Sequence, residues 1–395
     1  MRLVLKQPTA ARAAVRLSCP ARLQGGACLT GRRAYSRVGP ERQQTEGLRE
    51  IMGVFSGVFS GPLRVLGLAA ALAGAVAGSR AEAQEGPSAG EKVRLWDVPQ
   101  VDRLPDDEFG RLVRYGRSVL VATPAHIGPA APDAAQRYAG NNLACADCHL
   151  DAGLKKFGLP LVAASADYPA YSTRSGEVAS LVDRLNSCMT RSMNGRPMPA
   201  DARPMQALVA YLTVLATNIP RDAKISGGGA GAMPELPRAA DPARGMAIYA
   251  RECAECHRPD GLGVRHNPVD ASFGYAVPPL WGPDSFNDGA GLARLGNMAN
   301  FVHNNMPNGT SWVMPQLTPD EAWDVGAFVL SQPRPKRAGT AKDFPDLLLK
   351  PIDAAYGPYA DGFTEAQHKY GPYAPIRAAI ARLKAEKGSV PNPND

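Results

Sequence analysis

The stretch Cys145-Ala146-Asp147-Cys148-His149 returns in form as Cys253-Ala254-Glu255-Cys256-His257, and no other feature constrains the chain as tightly. Two thiols three residues apart can both add to the vinyl groups on one edge of a haem, and the adjacent histidine then lies beneath the iron. The pattern reads as two sites of covalent haem attachment, with Cys145, Cys148, Cys253 and Cys256 as thioether donors and His149 and His257 as axial ligands. A zinc knuckle would need further Cys/His pairs at zinc spacing, and a redox dithiol a thioredoxin-like strand pattern; neither is visible. In such a protein the polypeptide supplies geometry and tuning while the iron carries the electron.

Charge must be located before it is interpreted. The chain of 395 residues carries +7, but residues 1–83 hold twelve Lys/Arg against four Asp/Glu, so the remainder is close to neutral. That distribution gives no support to nucleic-acid binding. The basic segment has the form of a leader: Arg64, the apolar run Val65 to Gly78, then Ala81-Glu82-Ala83 before Gln84, which reads as a signal peptide cleaved after Ala83. The run is shorter than the roughly 20 residues a membrane helix needs, so no stable membrane span is expected. Residues 1–51 are Arg-rich and fit a start placed too early, with Met52 as the initiator. Export implies a periplasmic protein, and an exported chain with four thiols committed to haem leaves Cys188 alone and in need of a role.

Two attachment motifs 108 residues apart predict two small helical domains, an all-α fold of two class I cytochrome c-like units. The expected division is leader 1–83, first domain 84–221, Gly-rich linker 222–237, second domain 238–335 and an irregular C-terminal extension 336–395. Apolar spacing predicts helices over Asp106 to Ala122, Gly176 to Ser192 and Met205 to Thr217, and residues 133–144 are expected to lead into the first motif as a helix. Asp241-Pro242 forms a cap and first-turn pair for the helix that leads into Cys253, and Thr318 caps the last helix of the second domain. The tail repeats Tyr356-Gly357-Pro358-Tyr359-Ala360 at Tyr370 to Ala374 and is expected to wrap on both domains.

The sixth iron position decides the chemistry. For the first haem the candidates are Cys188, Met189, Met193, Met198 and Met205; Cys188, 39 residues past His149 on a predicted helix, is preferred because it otherwise lacks a role. For the second haem Met306 and Met314 both suit the spacing, with His303 and His266 as bis-histidine alternatives. Carbonyls near Pro160 and Pro279 are expected to accept the free N–H of His149 and His257. A thiolate ligand stabilises ferric iron, so the first haem should sit at lower potential and electrons should run from the first to the second. Thiolate sulfur also bonds other sulfur atoms. Arg184 lies one turn before Cys188 on the same helix face, with Arg174 and Arg196 flanking, and guanidinium forks suit oxyanions.

These residues resemble the dihaem thiosulfate dehydrogenases, which join two thiosulfates into tetrathionate. The resemblance is carried by Leu112-Val113-Arg114-Tyr115-Gly116, Gly140-Asn141-Asn142-Leu143, His149-Leu150-Asp151-Ala152-Gly153, Asp183 to Cys188 with Arg191 to Gly195, Asn305-Met306-Pro307, Glu321 to Val325, and the tail segments Tyr356 to Phe363 and Gln367 to Pro372. It implies His149/Cys188 and His257/Met306 ligation, Arg174 and Arg184 as thiosulfate-binding residues, and electron delivery to an external cytochrome c or high-potential iron–sulfur protein. Where some members place lysine before the methionine and exchange ligands on reduction, this chain has Asn305, so that exchange is not expected. A dihaem peroxidase would need a readily opened iron; a pure electron carrier, or a sulfur-oxidation cytochrome dependent on a partner subunit, would leave Cys188 inactive alone.

Overall fold

The structure, a computed structural model, describes residues 92–93 and 100–387, all within one compact unit spanning Ser79–Asp395. The leader, the Met52 start and the cleavage after Ala83 lie outside the described residues. Among those described, no helix is long and apolar enough to cross a membrane.

Each haem motif sits in a helical unit built on one crossed pair. In the first, helix Glu108–Val121 starts where the Asp107 carboxylate accepts the Gly110 N–H at 2.7 Å and buries Val113, Gly116, Val119 and Leu120 at helical spacing. It crosses helix Arg203–Leu215 so closely that a Cβ on Gly116 would stand 2.0 Å from the Ala207 carbonyl oxygen. In the second, helix Pro242–Glu252, capped by Asp241, crosses Pro319–Ser331, capped by Thr318, and a Cβ on Gly245 would stand 1.9 Å from the Asp324 carbonyl oxygen. Both crossings need a glycine because the obstructing atom is backbone. Gly116→Ala and Gly245→Ala are each expected to lower stability by about 3 kcal/mol, read as a drop in the urea midpoint of the haem-loaded protein, because the helices must separate to admit the methyl. Unchanged midpoints would show that the pairs tolerate separation.

Residues 133–144 differ from expectation: only Ala134–Gln136 turns, as a single 3-10 turn. Tyr138 and Ala139 give their N–H groups to the Ile127 carbonyl, Gly140 gives its own to Met193, and the buried Asn141 side chain donates to Ser192 and Ser285. Backbone and side-chain donors spent on distant partners cannot also build a helix. The predicted helix from Gly176 begins later, at Leu181, because Glu177–Ala179 pairs antiparallel with Ala170–Ser172.

The glycine-rich segment 222–237 is hydrogen-bonded rather than free. Lys224–Ile225 pairs in parallel with Lys92–Val93, and the Gly227 and Gly229 carbonyls accept from Phe157 and Leu159. The extension is less irregular than expected. It contains helices Glu365–Tyr370 and Ala374–Lys387, the latter rich in Ala, Arg and Lys, which favour helix, and it anchors Ile376 in the second core. It clasps both units: Asp353 pairs with Arg294 at 2.6 Å and Arg377 with Glu235, while Phe344 donates its N–H to the Arg174 carbonyl.

Candidate functional site

The first motif opens as a 3-10 turn, Cys145–Asp147, whose Asp147 carboxylate accepts the Ala144 N–H at 2.8 Å. Burial pushes that carboxyl up to about 6. The Thr123 hydroxyl accepts the Cys145 N–H at 3.0 Å, fixing the start of the motif against the end of the first helix. After His149 the chain turns sharply, with Asp151 and Ala152 in the left-handed region, and returns so that the Leu159 carbonyl meets His149 Nδ1 at 2.6 Å. In the second motif the Pro278 carbonyl meets His257 Nδ1 at 2.9 Å. These are the acceptors expected beside Pro160 and Pro279. A carbonyl can only accept, so each Nδ1 carries the proton and each Nε2 keeps its lone pair for iron. Burial lowers the pKa of both rings, which favours the neutral, ligating form.

Burial also pushes the Cys145 and Cys253 thiols up to about 11 and Cys148 up to about 12. Among the described residues no three His, Cys, Asp or Glu gather as a metal-holding cluster. Paired thiols beside an imidazole with one free nitrogen fit covalently bound haem.

Cys188 stands on helix Leu181–Arg191, whose start is closed by a reciprocal Ser180–Asp183 capping box. Its sulfur is half-buried and near enough to Cys145 and Cys148 to act on both electrostatically. The four methionine candidates for the same position, Met189, Met193, Met198 and Met205, point into the core at 3, 3, 1 and 0% exposure. Arg184 is exposed, makes no ion pair among the described residues, and has its pKa raised chiefly by Cys188.

The other end of that helix is held by donors from the second unit, the extension and the first domain. Asn287 Nδ2 and Arg337 Nη1 donate to the Thr190 carbonyl at 3.0 and 2.9 Å, the Asn287 N–H donates to Arg191, and Asn141 donates to Ser192. A helix C-terminus leaves its last carbonyls unpaired, so these donors set the position of the helix relative to the second haem unit.

Arg174 lies in the turn between Ala170–Ser172 and Glu177–Ala179 and reaches the Gly289 carbonyl at 3.1 Å and the Tyr356 hydroxyl at 3.3 Å. Burial, then the neighbouring Arg191, lowers its pKa. Arg196 is placed elsewhere: its guanidinium lies 4.4 Å from the Tyr138 ring centroid and donates to the Ala135 and Arg137 carbonyls, so it fastens the 135–138 segment rather than joining Cys188. Arg191, to which sequence reasoning gave no role, is buried at 6% exposure and pairs with Asp343 at 2.8 Å. The signal available was its place three residues after Cys188 and seven after Arg184, on the same helix face.

For the second haem, Met306 follows the last turn of helix Leu295–Asn305 and is half-buried, whereas Met314 is 73% exposed and His266 is exposed. His303 turns to the Asn304 side chain. Asn305 Nδ2 donates to the Phe157 carbonyl and Asn304 Nδ2 to Ala230. The loop that carries the His149 acceptor, the 227–231 segment and the residue before Met306 are therefore joined by hydrogen bonds.

Residues 135–220 match the family described as SoxA/TsdA, cytochrome c domain, and residues 242–333 match cytochrome c. The two matches bracket the two motifs, and each carries one covalently bound haem c. The thiosulfate dehydrogenase of Thiomonas intermedia (strain K12) is 38% identical over 238 residues, 60% of this chain and 71% of that protein. That of Allochromatium vinosum is 37% identical over 259 residues, 65% of this chain and 88% of that protein. A solved structure of thiosulfate dehydrogenase (TsdBA) from Marichromatium purpuratum superposes with a TM-score of 0.54 at 34% identity. The match covers 61% of this chain and spans half of that solved chain. With two cytochrome c domains along the chain and relatives matched over most of their length, the chain belongs to the thiosulfate dehydrogenase family of dihaem cytochromes c.

Proposed function

We propose that this chain oxidises two thiosulfates to one tetrathionate, in the periplasm, and delivers the two electrons to an external cytochrome c or high-potential iron–sulfur protein. The observation that carries the reading is the convergence of Cys188, Arg184 and the first haem motif. Arg184, without a carboxylate partner among the described residues, and Arg174 hold the sulfonate ends by charge-assisted hydrogen bonds. They present the sulfane sulfurs toward Cys188. The Cys188 thiolate bonds the sulfane sulfur of one thiosulfate as two electrons leave; the second thiosulfate then attacks that sulfane sulfur, tetrathionate departs, and the thiolate returns. His149 with Cys188 and His257 with Met306 would hold the two haems, which when bound would supply one-electron acceptors for the two electrons released. In reverse the same groups reduce tetrathionate.

The test is an anaerobic optical spectrum of the haem-loaded protein before and after thiosulfate, with ferricyanide turnover in the same sample. Rapid haem reduction and one tetrathionate per two thiosulfates are expected. Fully loaded protein that neither reduces nor turns over would leave an electron carrier or a missing subunit as the better reading.

A further inference from the structure

Both hydrogen bonds of Arg174 leave from Nη1, to Gly289 and to Tyr356, and its Nε and Nη2 make none among the described residues. One full edge of the guanidinium fork is thus open to an anion. What aims that edge comes from the far end of the chain. The Tyr356 hydroxyl accepts from Arg174 and donates to Asp343 Oδ2 at 2.7 Å. Asp343 Oδ1 accepts from Arg191 Nη2 at 2.8 Å, and Arg191 Nη1 donates to the Gly289 carbonyl at 3.2 Å, the same oxygen that Arg174 uses. The ring Arg174, Tyr356, Asp343, Arg191, Gly289 closes on itself. Its single carboxylate stands at 2.8 Å from Arg191 but 3.7 Å from Arg174, so it is committed to Arg191 and leaves the charge of Arg174 for another anion. The extension also holds the Arg174 backbone, through the Phe344 N–H at 2.8 Å, and sets the Phe344 ring 5.2 Å from the guanidinium. Arg174, Gly289, Phe344 and Tyr356 line one small cleft at this seam.

We propose that Tyr356 is a positioning residue for the thiosulfate site: its hydroxyl fixes Arg174 by Nη1 so that the opposite edge faces the sulfonate. The C-terminal extension thereby completes a binding site whose reactive cysteine lies in the first domain. This rests on the reading of Arg174 as a thiosulfate-binding residue. It predicts a role in binding rather than in electron removal, because Tyr356 touches neither sulfur nor a haem motif.

The test compares Tyr356→Phe, Arg174→Gln and Tyr359→Phe in the full, haem-loaded chain, with KM and kcat for thiosulfate measured against ferricyanide. Tyr359 belongs to the same extension, but its hydroxyl donates to the Ala354 carbonyl, so its loss probes tail integrity alone. Tyr356→Phe is expected to raise KM roughly tenfold while kcat stays within about twofold, and Arg174→Gln to raise KM further. Tyr359→Phe is expected to keep the wild-type KM. A wild-type KM in Tyr356→Phe with a raised KM in Arg174→Gln would overturn the positioning role. Equal KM shifts in the two tyrosine variants would overturn it too, as an effect of tail stability. A wild-type KM in Arg174→Gln would instead remove the reading of Arg174 itself.

Discussion

Cys188→Gly is expected to retain both covalent haems and to lose thiosulfate oxidation by about 10³-fold or more, the scale seen when a reacting nucleophile is removed. Haem attachment depends on Cys145, Cys148, Cys253 and Cys256, none of which bonds Cys188. The helix keeps its Ser180 cap and its cross-domain C-terminal donors, so a glycine inside it costs only about 1 kcal/mol. No neighbour can replace the sulfur, because Met189, next in the chain, is committed to the core with Met193. The measurement is kcat with ferricyanide alongside a pyridine haemochrome assay and the optical spectrum, where the first haem alone should change its ligand-field bands. A variant that still makes tetrathionate at the parent rate would remove Cys188 from the chemistry.

Asp343→Ala carries the largest expected loss of stability. Arg191 is buried, and among the described residues its only carboxylate partner is Asp343 and its Nε has no partner. Deleting one member of a buried pair leaves an uncompensated charge and costs about 3–5 kcal/mol, which lowers the melting temperature by roughly 10 °C in a unit of this size. For Asp343 itself, burial raises the carboxyl pKa, but the bonds from Arg191 and Tyr356 outweigh burial and hold it below the ordinary value. A carboxyl whose folded pKa is depressed contributes stability above its unfolded pKa and loses it as pH falls through the folded value. The gap between parent and variant should therefore be full at neutral pH and narrow below about pH 4. A calorimetric pH series checks both points; a small gap that does not vary with pH would mean the pair adds little.

Local chemistry made much of the protein legible before any fold was known. The two Cys-x-x-Cys-His motifs, the Asp241 and Thr318 caps, and the one-turn spacing of Arg184 and Cys188 are properties of a few adjacent residues. The Leu159 and Pro278 carbonyls, 10 and 21 residues beyond their histidines, also stand beside the expected Pro160 and Pro279. Tertiary structure decided what depended on partners far along the chain. Arg196 and Arg191 look alike as basic residues near Cys188, yet one is drawn to Tyr138 and nearby carbonyls while the other is buried against Asp343, 152 residues away. Arg174 became part of a cross-domain ring only because the extension brings Tyr356 to it from 182 residues away. Residues 133–144 carry enough alanine for a helix but give their hydrogen bonds to Ile127, Met193 and Ser285. Caps, turns and periodicity are encoded at short range, whereas the choice among competing hydrogen-bond partners for a loop or a guanidinium is made by whatever the packed helices bring within reach.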